Sequence, residues 1–252
     1  MFPTTSALAA GLSEAVDRRQ LVAYYQPQVD IASGRVVSVE ALARWIHPEF
    51  GVIPPNEFIP VAESVGTIRQ VDRSVFTHAV RQIAQWTATS LNLELSVNIS
   101  PSELVPGLAG ELLPILESEG VDPHLITMEI TESEPILDLP VAVRCLHELR
   151  DHGIGVSVDD FGTGYSSVSQ LRDLPTTELK IDQSLIRGSR DAAHEALDAV
   201  LAEAADRGIR IVAEGVETHD QMNHAIELGC HRAQGYIIGA PMGPEEFEAR
   251  FR

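Results

Sequence analysis

Short apolar runs rich in β-branched residues alternate along this chain with longer segments in which apolar residues recur every three or four positions. The first pattern predicts buried strands and the second predicts amphipathic helices. We predict eight strands, at about Leu21–Ile31, Val36–Leu42, Leu93–Ile99, Ile126–Ile130, Gly155–Asp159, Glu178–Ile181, Arg210–Glu214 and Ala233–Ile237. Predicted helices lie between and after them, at about Pro55–Ser64, Arg69–Thr87, Gly107–Ser118, Leu139–His152, Ser166–Leu174, Asp191–Arg207, Thr218–Leu228 and Pro244–Phe251.

Strands that alternate with helices over 252 residues are typical of a (β/α)8 barrel of the TIM type. The first connection departs from this pattern, because Ala32–Arg35 is too short for a crossover between parallel strands. A hairpin fits instead, so we predict an α/β fold, a modified TIM-type barrel with an antiparallel first strand. No linker-like stretch divides the chain, which predicts a single domain over residues 1–252, with an N-terminal helix in residues 1–20 leading into the barrel.

Acidic residues outnumber basic ones by 37 to 18, giving a formal net charge of −19 at pH 7. This charge disfavours binding to DNA or to an anionic membrane surface. Residues 1–20 lack the basic start and the apolar run of a secretory signal, and no segment approaches the roughly 20 apolar residues of a membrane span. We therefore expect a cytoplasmic protein without a DNA or membrane partner.

Charged or amide side chains stand near the ends of most predicted strands, where burial in a parallel barrel favours apolar residues. They are Glu40, Asn98, Glu129, Asp159, Asp160, Lys180, Asp182, Glu214 and Gln234. The carboxyl ends of barrel strands meet at one mouth, so these side chains should converge there. One such residue alone is more often a helix cap or a surface charge, but capping does not readily explain the whole series.

Several carboxylates at one mouth repel each other by several kcal/mol unless cations neutralise them. Oxygen ligands favour Mg²⁺ or Mn²⁺ over zinc or copper. The adjacent Asp159 and Asp160 suit a pair of metal ions, and sites with two such ions usually cleave phosphate esters. The loop that follows contains Gly162 and Gly164, and its position predicts a mobile lid over the metals.

In this order the motifs resemble those of the EAL-domain family, the cyclic di-GMP phosphodiesterases named for Glu40-Ala41-Leu42. The resemblance covers nearly the whole chain. Matching motifs include Tyr24-Tyr25-Gln26-Pro27, Glu40-Ala41-Leu42-Ala43-Arg44-Trp45, Glu129-Ile130-Thr131-Glu132, Asp159-Asp160-Phe161-Gly162-Thr163-Gly164, Lys180-Ile181-Asp182, Ala213-Glu214-Gly215 and Gln234-Gly235-Tyr236.

The resemblance implies hydrolysis of cyclic di-GMP to linear 5′-pGpG, with two Mg²⁺ or Mn²⁺ ions per active site. The implied metal ligands are Glu40, Asn98, Glu129, Asp159 and Asp160. The resemblance assigns catalysis to Glu214, Lys180 and Gln234, substrate binding to Arg44, Gln26, Leu42 and Asp182, and anchoring of the glycine loop to Glu132. It also implies a homodimer.

Two other functions stay open at this point. A non-catalytic receptor would bind cyclic di-GMP and signal through a protein partner, although receptors of that kind typically lose metal ligands or loop residues that this chain retains. A different two-metal barrel hydrolase would act on another phosphodiester. Incubation with cyclic di-GMP and a divalent ion separates the three, because they predict turnover, binding without turnover, or neither.

Overall fold

A computed structural model describes residues 4–131, 136–161, 172–187 and 192–252. In these residues nine strands form one sheet in the order β1-β9-β8-β7-β6-β5-β4-β2-β3, and a further pairing of β1 with β2 closes it into a barrel. The strands are β1 (Leu21–Asp30), β2 (Val36–His47), β3 (Gly51–Ile53), β4 (Glu94–Ile99), β5 (Ile126–Thr131), β6 (Gly155–Phe161), β7 (Glu178–Ile181), β8 (Arg210–Ala213) and β9 (Arg232–Gln234).

Helices surround this barrel. They are α1 (Thr5–Asp17), α2 (Pro55–Ser64), α3 (Ile68–Ala88), α4 (Leu108–Glu119), α5 (Leu139–Asp151), α6 (Gln183–Arg187), α7 (Ala192–Arg207), α8 (His219–Glu227) and α9 (Pro244–Phe251). No helix in the described ranges is both long enough and apolar enough to cross a bilayer. The predicted helix Ser166–Leu174 lies mostly outside those ranges.

The first strand runs antiparallel to both of its neighbours, β2 and β9, whereas the pairings from β2 through β4 to β9 are parallel. This confirms the predicted barrel with an antiparallel first strand. In the tight turn between β1 and β2, Asp30 Oδ1 accepts hydrogen bonds from the backbone N–H and the hydroxyl of Ser33, at 2.8 and 2.5 Å, and these bonds stabilise the turn. Gly34 then supplies the left-handed conformation that the turn needs, with φ of +67°.

Alternating residues of β1 separate an apolar outer layer from a polar interior. Tyr25 faces the helices, and its ring lies 4.8 Å from the ring of Trp86 on α3, which stacks at 4.8 Å on Phe247 of α9. The next residues along the strand, Gln26 and Gln28, have the opposite parity and therefore face the barrel interior.

The middle of the barrel interior is lined by small polar side chains. Ser38, Ser96 and Ser157 are all at most 2% exposed, and each lies two residues before a predicted site residue on the same strand. A period of two places them on the same inward face as those residues. The barrel axis is therefore polar, and most of the apolar packing lies outside the sheet, against the helices.

Ion pairs fill the end of the barrel opposite the mouth. Arg210 Nη1 lies 2.9 Å from Glu94 and 3.2 Å from Glu178, and Arg232 Nη2 lies 2.7 Å from Glu94. Each of these four residues is the first of its strand: Glu94 of β4, Glu178 of β7, Arg210 of β8 and Arg232 of β9. The cluster pairs two carboxylates with two guanidinium groups, so their charges balance.

Two predicted strand ends differ from the structure by three residues or more. Strand β2 continues past Leu42 to His47, because its second half pairs with β3, a short strand that we did not predict. The last strand ends at Gln234 rather than at Ile237. Gly235 has φ of +157°, and a side chain there would collide with the backbone of Val216, so the chain turns away from the sheet at this residue.

Neutralising Glu94 should destabilise the fold in a pH-dependent way. Burial alone would raise the pKa of Glu94, but the hydrogen bond from Arg232 and the charges of Arg232 and Arg210 lower it overall. The stabilisation is therefore complete above the ordinary pKa of 4.5 and is lost as the pH falls through the lower folded-state value.

We expect Glu94→Gln to lower the free energy of unfolding by about 1–2 kcal/mol at pH 7, and by less at pH 4. Urea denaturation at the two pH values measures this difference, with the exposed Glu117→Gln as the control. An equal loss at both pH values would contradict the assignment.

Candidate active site

Lys180, the only lysine in the chain, lies among four carboxylates at the mouth of the barrel. Its Nζ is 3.3 Å from Glu40 Oε2, 3.0 Å from Glu129 Oε2, 3.1 Å from Asp159 Oδ1 and 2.7 Å from Glu214 Oε1. These acids belong to β2, β5, β6 and the end of β8, so barrel closure brings them together. Lys180 and Glu129 are both fully buried.

The charges at this mouth do not balance, because one ammonium group faces four acids. Burial raises the pKa of Glu129 well above its usual range, and the Glu40 carboxylate raises it further. Burial also raises the pKa of Glu214, with Asp159 adding to the shift. Burial opposes the charge on Lys180, but the surrounding carboxylates outweigh this effect, and the pKa of Lys180 rises well above its usual range.

Two amide side chains hold Glu40 in place. Asn98 Nδ2 donates to Glu40 Oε1 at 2.8 Å, and Gln234 Nε2 donates to Glu40 Oε2 at 2.5 Å. Burial alone would raise the pKa of Glu40, but Lys180, Gln234 and Asn98 outweigh it and lower the pKa overall. These contacts therefore hold Glu40 firmly as a carboxylate.

A local irregularity in β6 directs two consecutive aspartates to the mouth. Adjacent residues of a regular strand point to opposite faces. Here the register with β7 shifts between Val158 and Phe161, and Asp160 has a left-handed backbone with φ of +57°. Burial and the charge of Asp159 raise the pKa of Asp160 to about 6.

The acids form two groups that could each hold a metal ion. Glu40, Glu129 and Asp159 form one group, and Asp159, Asp160 and Glu214 form the other; the ligand oxygens within each group lie within 4.8 Å of one another. Glu129 Oε1 is buried and has no hydrogen-bond partner among the described residues. Unrelieved repulsion, a free buried carboxylate oxygen and an oxygen-only donor set all fit a hard divalent cation.

A cleft with two lobes opens above these acids. Leu42, Pro55, Ile59, Pro60 and Ile68 give the larger lobe, of about 540 Å³, a mainly apolar wall. The smaller lobe, of about 340 Å³, is more polar, and Gln26, Asp182, Glu214, Gln234 and Tyr236 line it. Glu40, Asp159 and Asp160 line both lobes, so the candidate metal groups lie where the lobes meet.

Three of the four predicted substrate-binding residues line the cleft. Leu42 lines the larger lobe, and Gln26 and Asp182 line the smaller one. Asp182 also accepts from the backbone N–H of Ser184 at 2.8 Å, so it caps α6 as well. Arg44 lines neither lobe.

The Arg44 side chain instead packs back on its own strand and on β1. Its guanidinium carbon lies 5.4 Å from the centre of the Tyr24 ring, and Nη1 donates to the Ala43 carbonyl oxygen at 2.8 Å. The predicted loop anchor Glu132 and the glycine loop from Gly162 onward lie outside the described residues.

One buried polar residue at this site was not predicted. Gln28 is fully buried, and its Nε2 donates to Gln234 Oε1 at 2.8 Å. The signal was present in the sequence, because Gln26 and Gln28 are two residues apart on one strand and must share a face.

Comparisons with known proteins agree on one family. The EAL domain family model matches residues 9–241. Cyclic di-GMP phosphodiesterase PA2567 of Pseudomonas aeruginosa is 40% identical over 245 residues, which are 96% of this chain and 42% of that protein. The bifunctional diguanylate cyclase/cyclic di-GMP phosphodiesterase MucR of the same organism is 38% identical over 245 residues, 94% of this chain and 35% of its own length. The chain thus spans less than half of each of these relatives.

A solved structure described as a PaMucR phosphodiesterase in complex with c-di-GMP superposes with a TM-score of 0.86 at 37% identity. The match covers 96% of this chain and 99% of that one. The closed barrel described above is therefore the fold of that solved domain.

Neutralising Asp159, which belongs to both metal groups, should stabilise the protein in chelator and remove its response to metal. Asp159 has four acidic neighbours, Glu40, Glu129, Asp160 and Glu214, and one ammonium neighbour, Lys180. Asp159→Asn should therefore raise the free energy of unfolding in chelator by about 1–3 kcal/mol. The same variant should lose the thermal stabilisation that Mn²⁺ gives the wild type, because both metal groups include Asp159.

Thermal melts with EDTA and with Mn²⁺ measure both effects, with Asp198→Asn on the exposed face of α7 as the control. A variant that is less stable than the wild type in EDTA, or that still gains stability from Mn²⁺, would contradict this description of the site.

Proposed function

Since this chain belongs to the EAL-domain family, we propose that it hydrolyses cyclic di-GMP to linear 5′-pGpG in a metal-dependent reaction. The observation that carries the proposal is the pair of acidic groups joined by Asp159 at the floor of a two-lobed cleft. The named activity of PA2567 and the solved MucR domain in complex with c-di-GMP support the choice of substrate.

We propose that the cofactor is Mg²⁺ or Mn²⁺, with two ions per site. Glu40, Asn98, Glu129 and Asp159 would hold one ion, and Asp159 with Asp160 would hold the other. When bound, such ions lower the pKa of water and offset the charge of a phosphate group. Asn98 now donates its amide N–H to Glu40, so it would have to turn its oxygen toward an ion.

Three residues have proposed catalytic roles. Glu214 lines the smaller lobe, where its carboxylate would be placed to accept a proton from the attacking water. Lys180 is fully buried and lines neither lobe, so its proposed role is to hold the four acids in place beneath the phosphate. Gln234 fixes Glu40 and is proposed to position the water.

The shape of the cleft suits a substrate with two similar halves. The apolar lobe beside Ile59 and Pro60 would accept the face of one guanine, and the polar lobe beside Tyr236, which is 67% exposed, would accept the other half. The scissile phosphate would then lie where the lobes meet. Arg44 would have to move from the Tyr24 ring to bind a phosphate with its forked guanidinium group.

A homodimer and a cytoplasmic location also remain predictions for this chain. Light scattering of the purified protein tests the first, because a dimer of this 27.4 kDa chain would have about twice that mass.

Turnover separates the proposed enzyme from a receptor. Purified protein with Mn²⁺ and cyclic di-GMP should form 5′-pGpG, and Glu40→Ala should reduce the rate by at least about a hundredfold, because it removes a ligand and the partner of Asn98 and Gln234. Chromatography of the nucleotide products measures this, with Glu117→Ala as the exposed control. Binding of cyclic di-GMP without turnover would support the receptor instead. The absence of both binding and turnover would indicate that the protein acts on another substrate.

Replacing the central ammonium group should affect both rate and stability. Lys180→Met should lower kcat at saturating Mn²⁺ by about 10–100-fold, because the four acids lose the group that positions them. In EDTA it should lower the free energy of unfolding by about 3–5 kcal/mol, since four acids are left without their counter-charge. Steady-state kinetics and urea denaturation measure the two quantities. A kcat within threefold of the wild type would contradict the proposed role of Lys180.

A further inference from the structure

Gln28 lies behind the site, at the point where three strands of the barrel meet. It is the register partner of Ser38 on β2 and of Gln234 on β9, and it is fully buried. The small side chain of Ser38 leaves room for the longer glutamine across the interior. The register of β1 against β2 shifts directly after Gln28. Bulges of this kind change the direction of a side chain, and they are common next to active sites.

Gln28 and Glu40 are linked through Gln234 by two hydrogen bonds, and only one direction of donation is possible along this chain. Glu40 is a carboxylate and accepts only, so Gln234 must face it with Nε2, as the 2.5 Å contact requires. The same nitrogen also donates to Gln26 Oε1 at 2.9 Å. The Gln234 oxygen therefore points away from the mouth, into the barrel, where it needs a donor.

Gln28 supplies that donor at 2.8 Å. If the Gln234 amide turned over, its oxygen would face the Glu40 carboxylate and its nitrogen would leave Gln26 without a donor. Two buried acceptors would then be in contact, at a cost comparable to that of an unsatisfied buried polar group. The bond from Gln28 opposes this rotation.

Simple space filling does not explain a glutamine at this position. Gln28 Oε1 is buried without a hydrogen-bond partner among the described residues, which is a cost that an apolar side chain of the same length would avoid. A glutamine at position 28 is explained if its N–H group is needed.

We propose that Gln28 is a positioning residue that fixes the amide orientation of Gln234 and, through it, the Glu40 carboxylate. This inference rests on the proposed function, because it assumes that Glu40 binds a metal ion and that Gln234 serves the reaction. Gln28 itself does not line either lobe of the cleft, so it acts without touching the substrate.

A double-mutant cycle with Gln28→Met and Gln234→Met tests this proposal, with kcat, KM for cyclic di-GMP and Mn²⁺ affinity as the readouts. Gln28→Met should lower kcat and Mn²⁺ affinity by about 10–100-fold, the usual effect of removing a group that orients a ligand, while KM changes less than about threefold. The double variant should be no worse than Gln234→Met alone, because Gln28 acts through Gln234. The exposed Gln70→Met on α3 is the control.

Gln28→Leu covers the case in which Gln28→Met does not fold, because leucine is shorter, is apolar and has no group that can donate a hydrogen bond. It should also lower kcat and Mn²⁺ affinity. Either variant with wild-type kcat and Mn²⁺ affinity would overturn the proposal, and so would losses that add in the double variant, as expected of a general packing defect.

Wild-type protein that binds Mn²⁺ but does not hydrolyse cyclic di-GMP would contradict the proposed function alone. The Mn²⁺ affinities of the variants would then decide the role of Gln28. Wild-type protein that does not bind Mn²⁺ would overturn both.

Discussion

Mutual repulsion among buried carboxylates is the constraint on which this structure depends. Glu40, Glu129, Asp159 and Glu214 lie around Lys180, and one positive charge cannot offset four negative ones. Burial raises the pKa of Glu129 and of Glu214, and the neighbouring acids raise both further. The rest of the barrel must hold these acids in place at a cost in stability, and the same uncompensated charge fits the mouth to hold a divalent cation.

The apolar packing on the outer face of the sheet offsets the cost of the acids on its inner face. Rings such as Tyr25, Trp86 and Phe247 pack outside the sheet, so the core that stabilises the barrel is separate from its interior. The interior is polar along its length, from the balanced Glu94 and Arg232 pair at one end to the acids at the other. A rigid outer layer can therefore support a strained and polar centre.

Much of the site could be predicted from the sequence, because parallel strands place their carboxyl ends at one mouth and acids there are conspicuous against apolar strands. Other features depend on contacts between distant segments. Asp160 has a left-handed backbone at a register shift in β6, which strand periodicity does not reveal. Periodicity places Gln28 inside the barrel, but its hydrogen bond to Gln234 depends on the pairing of β1 with β9. The retracted Arg44 is a rotamer choice, and β3 pairs too briefly to stand out as a strand.

The location of bound metal tests the central claim most directly. Crystals of the protein soaked in Mn²⁺ should give two anomalous difference peaks at the barrel mouth, both in contact with Asp159, with Glu40 and Glu129 beside one and Asp160 beside the other. Mn²⁺ peaks found only on the protein surface, with none near Asp159, would contradict the account.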